Sequence, residues 1–230
     1  MSDPSPDYGR ALYPFLYAPE TDGEGAIERL LAAVRSSTLA KCAEVVSLRD
    51  EMLEEYEEQL LLVANEMAER FTRGGKLLAF GNGGSATDAD DVATDCLTPP
   101  DREWRPIPAV SLSADSAVVT ALTNDVGFTH VFSRQVAALA EPSDIALGFS
   151  TSGNSENVVT ALTHARRRGL LTIAFCGYDG GALARPDVVH HCFIARREFV
   201  PRIQEGHATL WHTLLALTHA ALAVREECRA

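Results

Sequence analysis

Between Ala26 and about Phe71 the apolar positions recur at steps of three and four, as in Leu30, Leu31 and Val34, then Met52, Tyr56, Leu60, Val63 and Met67. That spacing predicts one or two amphipathic helices. Glu51, Glu54, Glu55, Glu57 and Glu58 fall mainly on the wet face, where a solvated surface explains them and no chemistry is assigned. After Gly74 and Gly75 the pattern changes to short apolar runs, each closed by a polar turn and followed by a helical stretch. The runs are 76–80, 109–112, 144–149, 171–176 and 188–194. Helical spacing fills 117–122, 131–139 and 158–168, and a last amphipathic helix covers about 203–227. This alternation predicts an α/β fold, a five-stranded parallel sheet with helices on both faces and added N-terminal helices. The first 25 residues, rich in Pro, Gly, Asp and Ser, read as a flexible extension. Three segments are therefore expected, 1–25, a helical 26–72 and an α/β 73–230.

Composition narrows the function. No apolar run reaches the length of a membrane span, and the N-terminus does not have the pattern of a secretory signal, so a cytoplasmic protein is expected. The five cysteines, Cys42, Cys96, Cys176, Cys192 and Cys228, are far apart and read as reduced thiols. A formal charge of −12 opposes binding to a phosphate backbone, which argues against a nucleic-acid ligand. A small anion would have to be held by local donors against that overall field.

Two turns offer such donors. In an open parallel sheet, ligands collect beyond the carboxyl ends of the strands. Gly81-Asn82-Gly83-Gly84-Ser85 follows the first run, its glycines letting the backbone approach a ligand, with Ser85 opening a helix. Ser150-Thr151-Ser152-Gly153-Asn154-Ser155 follows the third and presents hydroxyls where another helix begins. Simple capping would account for either loop alone. Two at equivalent positions point to a phosphoryl group. Neither is a Walker or dinucleotide fingerprint, which argues against nucleotide hydrolysis and hydride transfer.

These loops, with Asn124 to Phe128 (N-D-x-G-F), Gly177 to Gly181 (G-x-D-G-G) and Arg202 to His207 (R-I-Q-E-x-H), resemble the phosphoheptose isomerases in order and spacing over roughly residues 50–225. The resemblance implies a three-layer α/β/α sugar isomerase (SIS) fold, usually a homotetramer. It also implies interconversion of sedoheptulose 7-phosphate and an aldoheptose 7-phosphate. Substrate contacts are then implied for Asn82, Gly83, Gly84, Ser85, Asn124, Asp125, Ser150, Thr151, Ser152, Ser155 and Gln204. The family's zinc ligands map to Asp91, Asp95, Gln204 and His212, where Asp replaces His at 91 and Glu at 95. The oxygen-rich set would also admit manganese or magnesium.

Aldose–ketose isomerisation needs a base and an acid about an enediolate. Asp91 and Asp95 share a helix face, with Asp88 one turn earlier. Asp95 is the candidate base and His212 the candidate acid. Gln204 and His212 are eight residues apart, ~12 Å along a helix. One metal touching both requires Gln204 to precede the helix or a second subunit to contribute. Asp88 and Asp90 fit helix-dipole compensation, as do Arg166 to Arg168 at a helix C-terminus. His207 and His219 read as ordinary helix residues. A competing class is a non-catalytic SIS protein, a sugar-phosphate sensor or an assembly partner similar to the DnaA initiator-associating protein. A third reading is an isomerase of another phosphorylated sugar.

Overall fold

The structure, a computed structural model, describes residues 25–228; the expected extension at 1–25 lies almost wholly outside them. Helix α1 (Ala26–Thr72) is one continuous helix of 47 residues, where the sequence allowed two. The chain divides into two compact units inside this helix, between Leu48 and Arg49, and not at the 72/73 boundary expected from the sequence. The physical reason lies in its second half, where Met52, Tyr56, Leu60, Val63 and Met67 are all buried in the core of the larger unit. These are the positions whose spacing marked the apolar stripe.

Beyond α1 come β1 (Leu77–Gly81), α2 (Gly84–Leu97), β2 (Ala109–Ser111), α3 (Ser116–Val126), α4 (Val131–Leu139), β3 (Ile145–Ser150), α5 (Glu156–Arg167), β4 (Leu171–Gly177), β5 (His191–Ala195) and α6 (Val200–Glu227). All pairings are parallel, in the order β2-β1-β3-β4-β5. The strand expected at 188–194 begins only at His191. Val188 and Val189 are buried ahead of it, so core residues there gave a strand-like run without strand pairing.

Alternation along the strands feeds two layers. Leu78, Phe80, Ala146, Ala174 and Cys176 join Val136, Val158 and Leu162 of α4 and α5 in one core. On the other face Phe175 meets Phe149 and Phe193 edge-on, and Tyr56 of α1 meets Phe193. The Tyr56 hydroxyl accepts from Ile194 N at 3.0 Å, and burial pushes its pKa up to about 12. Buried Asp144 ties the starts of β1 and β3, accepting from Lys76 N at 2.9 Å and pairing with Lys76 Nζ at 2.6 Å. Two of the glutamates read as solvated have ion-pair partners: Glu51 with Arg197 at 2.8 Å and Glu55 with Arg196 at 3.4 Å. Arg166 and Arg168 donate to backbone carbonyls, Val189 for the first and Val136, Ala137 and Ala140 for the second.

In this strand order the direction of winding reverses between β1 and β3. Such a switch point leaves a crevice at the carboxyl ends of the two strands, because the chain leaves them toward opposite faces. Both candidate phosphate loops follow these strands.

Candidate active site at the sheet switch point

The two loops are joined to each other. Asn82 after β1 and the buried Asn157 at the start of α5 exchange amide hydrogen bonds in both directions, each 2.9 Å. Asn82 therefore holds the loops together with its side chain. Asn157, which the sequence did not single out, is half of that clasp. Gly81 N donates to Ser113 Oγ at 3.2 Å, which braces the first loop from the β2 side.

Ser85 differs from expectation. The helix cap is Gly83, with φ of 58°, and Ser85 is buried within the first turn of α2, packed so closely under Gly81 that a Cβ there would meet its backbone at 2.4 Å. Gly84 serves another need: a Cβ on it would lie 2.6 Å from the Gln204 amide nitrogen. The absent side chain lets Gln204 of α6 come up against the loop.

In the second loop Ser150 is buried and donates to Ser155 Oγ at 2.9 Å, while Ser155 caps α5 without a capping side-chain bond. The loop rests on the G-x-D-G-G turn. Asn154 Oδ1 accepts from Ala182 N at 2.9 Å, Thr151 O accepts from Gly177 N at 2.9 Å, and Gly153, at φ of 66°, sits so close that a Cβ would lie 2.0 Å from Gly180 O. Thr151 is half-buried and Ser152 exposed at the rim. Asn124 and Asp125 are placed differently from the rest. They are exposed in the last turn of α3, and their amide–carboxylate contact, 3.5 Å, is with each other.

The chemistry-bearing groups gather between α2 and α6. Gln204 Nε2 donates to Asp88 Oδ2 at 3.1 Å. Asp95 Oδ2 accepts from the Trp211 indole at 3.0 Å and lies 3.6 Å from His212 Nε2. A small cavity of about 70 Å³ is lined by Asp88, Asp91, Phe149, His207, Trp211 and His212, among others. Burial raises the Asp88 pKa to about 6, with the Gln204 hydrogen bond pulling the other way and Asp91 adding to the rise. The dipole reading of Asp88 is thus corrected, since it faces the site. Asp90 instead has a buried oxygen, Oδ1, without a partner. His207, set aside in the sequence, is fully buried in the cavity wall, and desolvation lowers its pKa to about 4. The available signal was its place one turn beyond Gln204 on the inward face of α6.

A zinc ion held by Asp91, Asp95, Gln204 and His212 would need those donors to converge tetrahedrally. They do not do so here. Gln204 lies inside α6, so it does not precede the helix, and its amide is turned to Asp88. Asp95 is engaged by Trp211. Among the described residues no three His, Cys, Asp or Glu side chains are gathered for a metal. Within one chain these four donors are not gathered about an ion, and no step below runs through one.

Comparison with known proteins bears on what this crevice does. The SIS domain model matches residues 42–177. The phosphoheptose isomerase of Aquifex aeolicus is 44% identical over 173 residues, 75% of this chain and 90% of that one. The chain belongs to the SIS-domain phosphoheptose isomerase family. The solved phosphoheptose isomerase from Neisseria gonorrhoeae is 35% identical, with a TM-score of 0.72 over 80% of this chain and 98% of its own. That from Francisella tularensis is 29% identical, with a TM-score of 0.74 over 81% and 98%. The family's three-layer fold is the one seen here, and most of the motif residues meet in one crevice.

Proposed function

We propose that the protein is an aldose–ketose isomerase of a phosphorylated sugar, acting on sedoheptulose 7-phosphate to give an aldoheptose 7-phosphate. The observation that carries this is the junction of two hydroxyl- and glycine-rich loops, clasped by Asn82 and Asn157, next to an Asp95–His212 contact of 3.6 Å. The phosphate sits at the mouth of the Ser150–Ser155 loop, where the first turn of α5 points N–H groups outward and the helix dipole favours an anion. The sugar's reacting end then lies toward α6. Asp95, oriented by the Trp211 indole, removes the proton from the carbon beside the carbonyl. His212 supplies a proton to the carbonyl oxygen as the enediol forms. Asp95 then returns its proton to the former carbonyl carbon while His212 takes one back from the neighbouring hydroxyl, leaving the aldehyde and both side chains as they began. Gln204 and Asp88, bonded to each other, form the wall that orients the polyol. An Asp is one methylene shorter than the family's Glu at this position, and the Trp211 bond fixes where the shorter carboxylate stands.

The assembly proposed is a homotetramer acting in the cytoplasm, where its thiols stay reduced. Exposed apolar residues along α1, including Leu53, Leu61 and Leu62, support a helix that meets other copies.

The test is proton exchange. Metal-stripped protein, alone and resupplied with zinc, manganese or magnesium, is given sedoheptulose 7-phosphate in deuterated water and followed by NMR. Aldose formation with deuterium at the transferred carbon is expected without added metal, and Asp95→Asn and His212→Ala should each abolish it. Turnover only with a metal would overturn the metal-free acid–base step, and binding without turnover in any arm would favour the sensor class.

A further inference from the structure

His207 has one nitrogen committed and one without a partner. Its Nε2 lies 2.8 Å from the Cys176 carbonyl oxygen at the end of β4. A carbonyl only accepts, so Nε2 carries the hydrogen and the neutral ring presents a lone pair at Nδ1. That Nδ1 is buried and has no hydrogen-bond partner. Phe149 and Phe175 are tilted against the ring, both with centroids 5.9 Å away, and neither offers a conventional donor. A buried acceptor left unpaired is costly, and native structures keep few of them without a reason.

His207 is among the residues that line the cavity shared by Asp88, Asp91 and His212. At about 70 Å³ the cavity admits a hydroxyl-bearing carbon or two but not a whole phosphosugar. Its polar lining is rich in acceptors, with the Asp88 and Asp91 carboxylates. A phosphate there would meet like charge, whereas a polyol hydroxyl brings a donor. We propose that His207 Nδ1 accepts a hydrogen bond from a hydroxyl at the reacting end of the sugar, opposite its phosphate. His207 is thereby a substrate-binding residue that sets which carbon enters the cavity. The inference rests on the isomerase reading for the direction in which the sugar lies.

Two amide replacements separate this role from a structural one. In His207→Asn the amide oxygen falls near the position of Nδ1 and the bond to Cys176 O is lost. In His207→Gln the amide nitrogen reaches toward Cys176 O and the acceptor in the cavity is lost. The proposal expects His207→Asn to keep more kcat/KM than His207→Gln, with the Gln variant down about tenfold, the cost of one hydrogen bond, mainly in KM. The reverse order would mean that His207 only anchors β4 and would overturn the proposal. The wild-type protein, labelled with imidazole ¹⁵N, gives a reading that does not depend on the variants folding. Sedoheptulose 7-phosphate should move the Nδ1 resonance upfield, and inorganic phosphate, confined to the loops, should not. Turnover with an unmoved Nδ1 would sink the inference and leave the isomerase standing. A moved Nδ1 without turnover would keep the contact and remove the reaction.

Discussion

Gly84 and His207 show how much chemistry here depends on single atoms. A methyl group on Gly84 would meet the Gln204 amide at 2.6 Å, and the clash is with the end of a flexible side chain rather than with backbone. Gly84→Ala should therefore fold but swing Gln204 away from Asp88. A displacement of about 1 Å in a positioned group costs on the order of a hundredfold in rate, so kcat/KM should fall at least tenfold with little change in melting temperature. Steady-state kinetics beside a thermal melt checks this. His207 predicts a pH effect of definite sign. Its folded pKa, about 4, lies below the ordinary 6.5 because the ring is fully buried. The unfolded chain binds this proton more readily than the folded one. Its neutral burial thus contributes fully above pH 6.5 and is lost as pH falls toward 4, with a ceiling of ~3 kcal/mol. Denaturant melts of wild type and His207→Gln from pH 8 to pH 4 should show the wild type losing more stability on the acid side. Parallel curves would mean that the ring titrates alike folded and unfolded.

At the scale of elements, the Asn82–Asn157 clasp joins the turn after β1 to the start of α5. Asn157 is 1% exposed, and removing it leaves the Asn82 amide without its partner inside the crevice. Asn157→Ala should cost about 1–3 kcal/mol and also loosen the spacing between the phosphate loops, raising KM for the phosphosugar more than it lowers kcat. Urea titration gives the first quantity and initial rates give the second; an unchanged KM would mean that the loops keep their spacing unaided. The strands themselves were legible from apolar runs, because strands buried on both faces have to be apolar nearly throughout. What the runs could not show was Asn157. An Asn in the first turn of a helix looks like an ordinary turn-former, and only its partner 75 residues earlier in the chain reveals its use.

On the scale of the molecule, the sheet order puts the switch point between β1 and β3 and so determines which two of the inter-element turns face each other. Asn124 and Asp125 are exposed in the last turn of α3 and contact each other, although their motif belongs with the others in sequence. Size-exclusion chromatography with light scattering should give about four times the 24.8 kDa chain mass. A monodisperse monomer that turns over substrate would refute both the tetramer and any contribution from a second copy. Among the described residues no helix is long and apolar enough to cross a membrane.

The sequence by itself determined the layers, the two glycine- and hydroxyl-rich turns and the family. Hydrophobic period follows directly from the geometry of helix and strand, and glycine and hydroxyl clusters mark where a chain turns closely at a strand end. Only the tertiary structure decided the partners. Trp211 orients Asp95, Gln204 turns to Asp88, and His207 keeps one nitrogen on Cys176 O and leaves the other bare. Each of these depends on how α6 lies across α2 and the ends of the strands. Such distances arise from packing between segments remote in sequence, which no local pattern encodes.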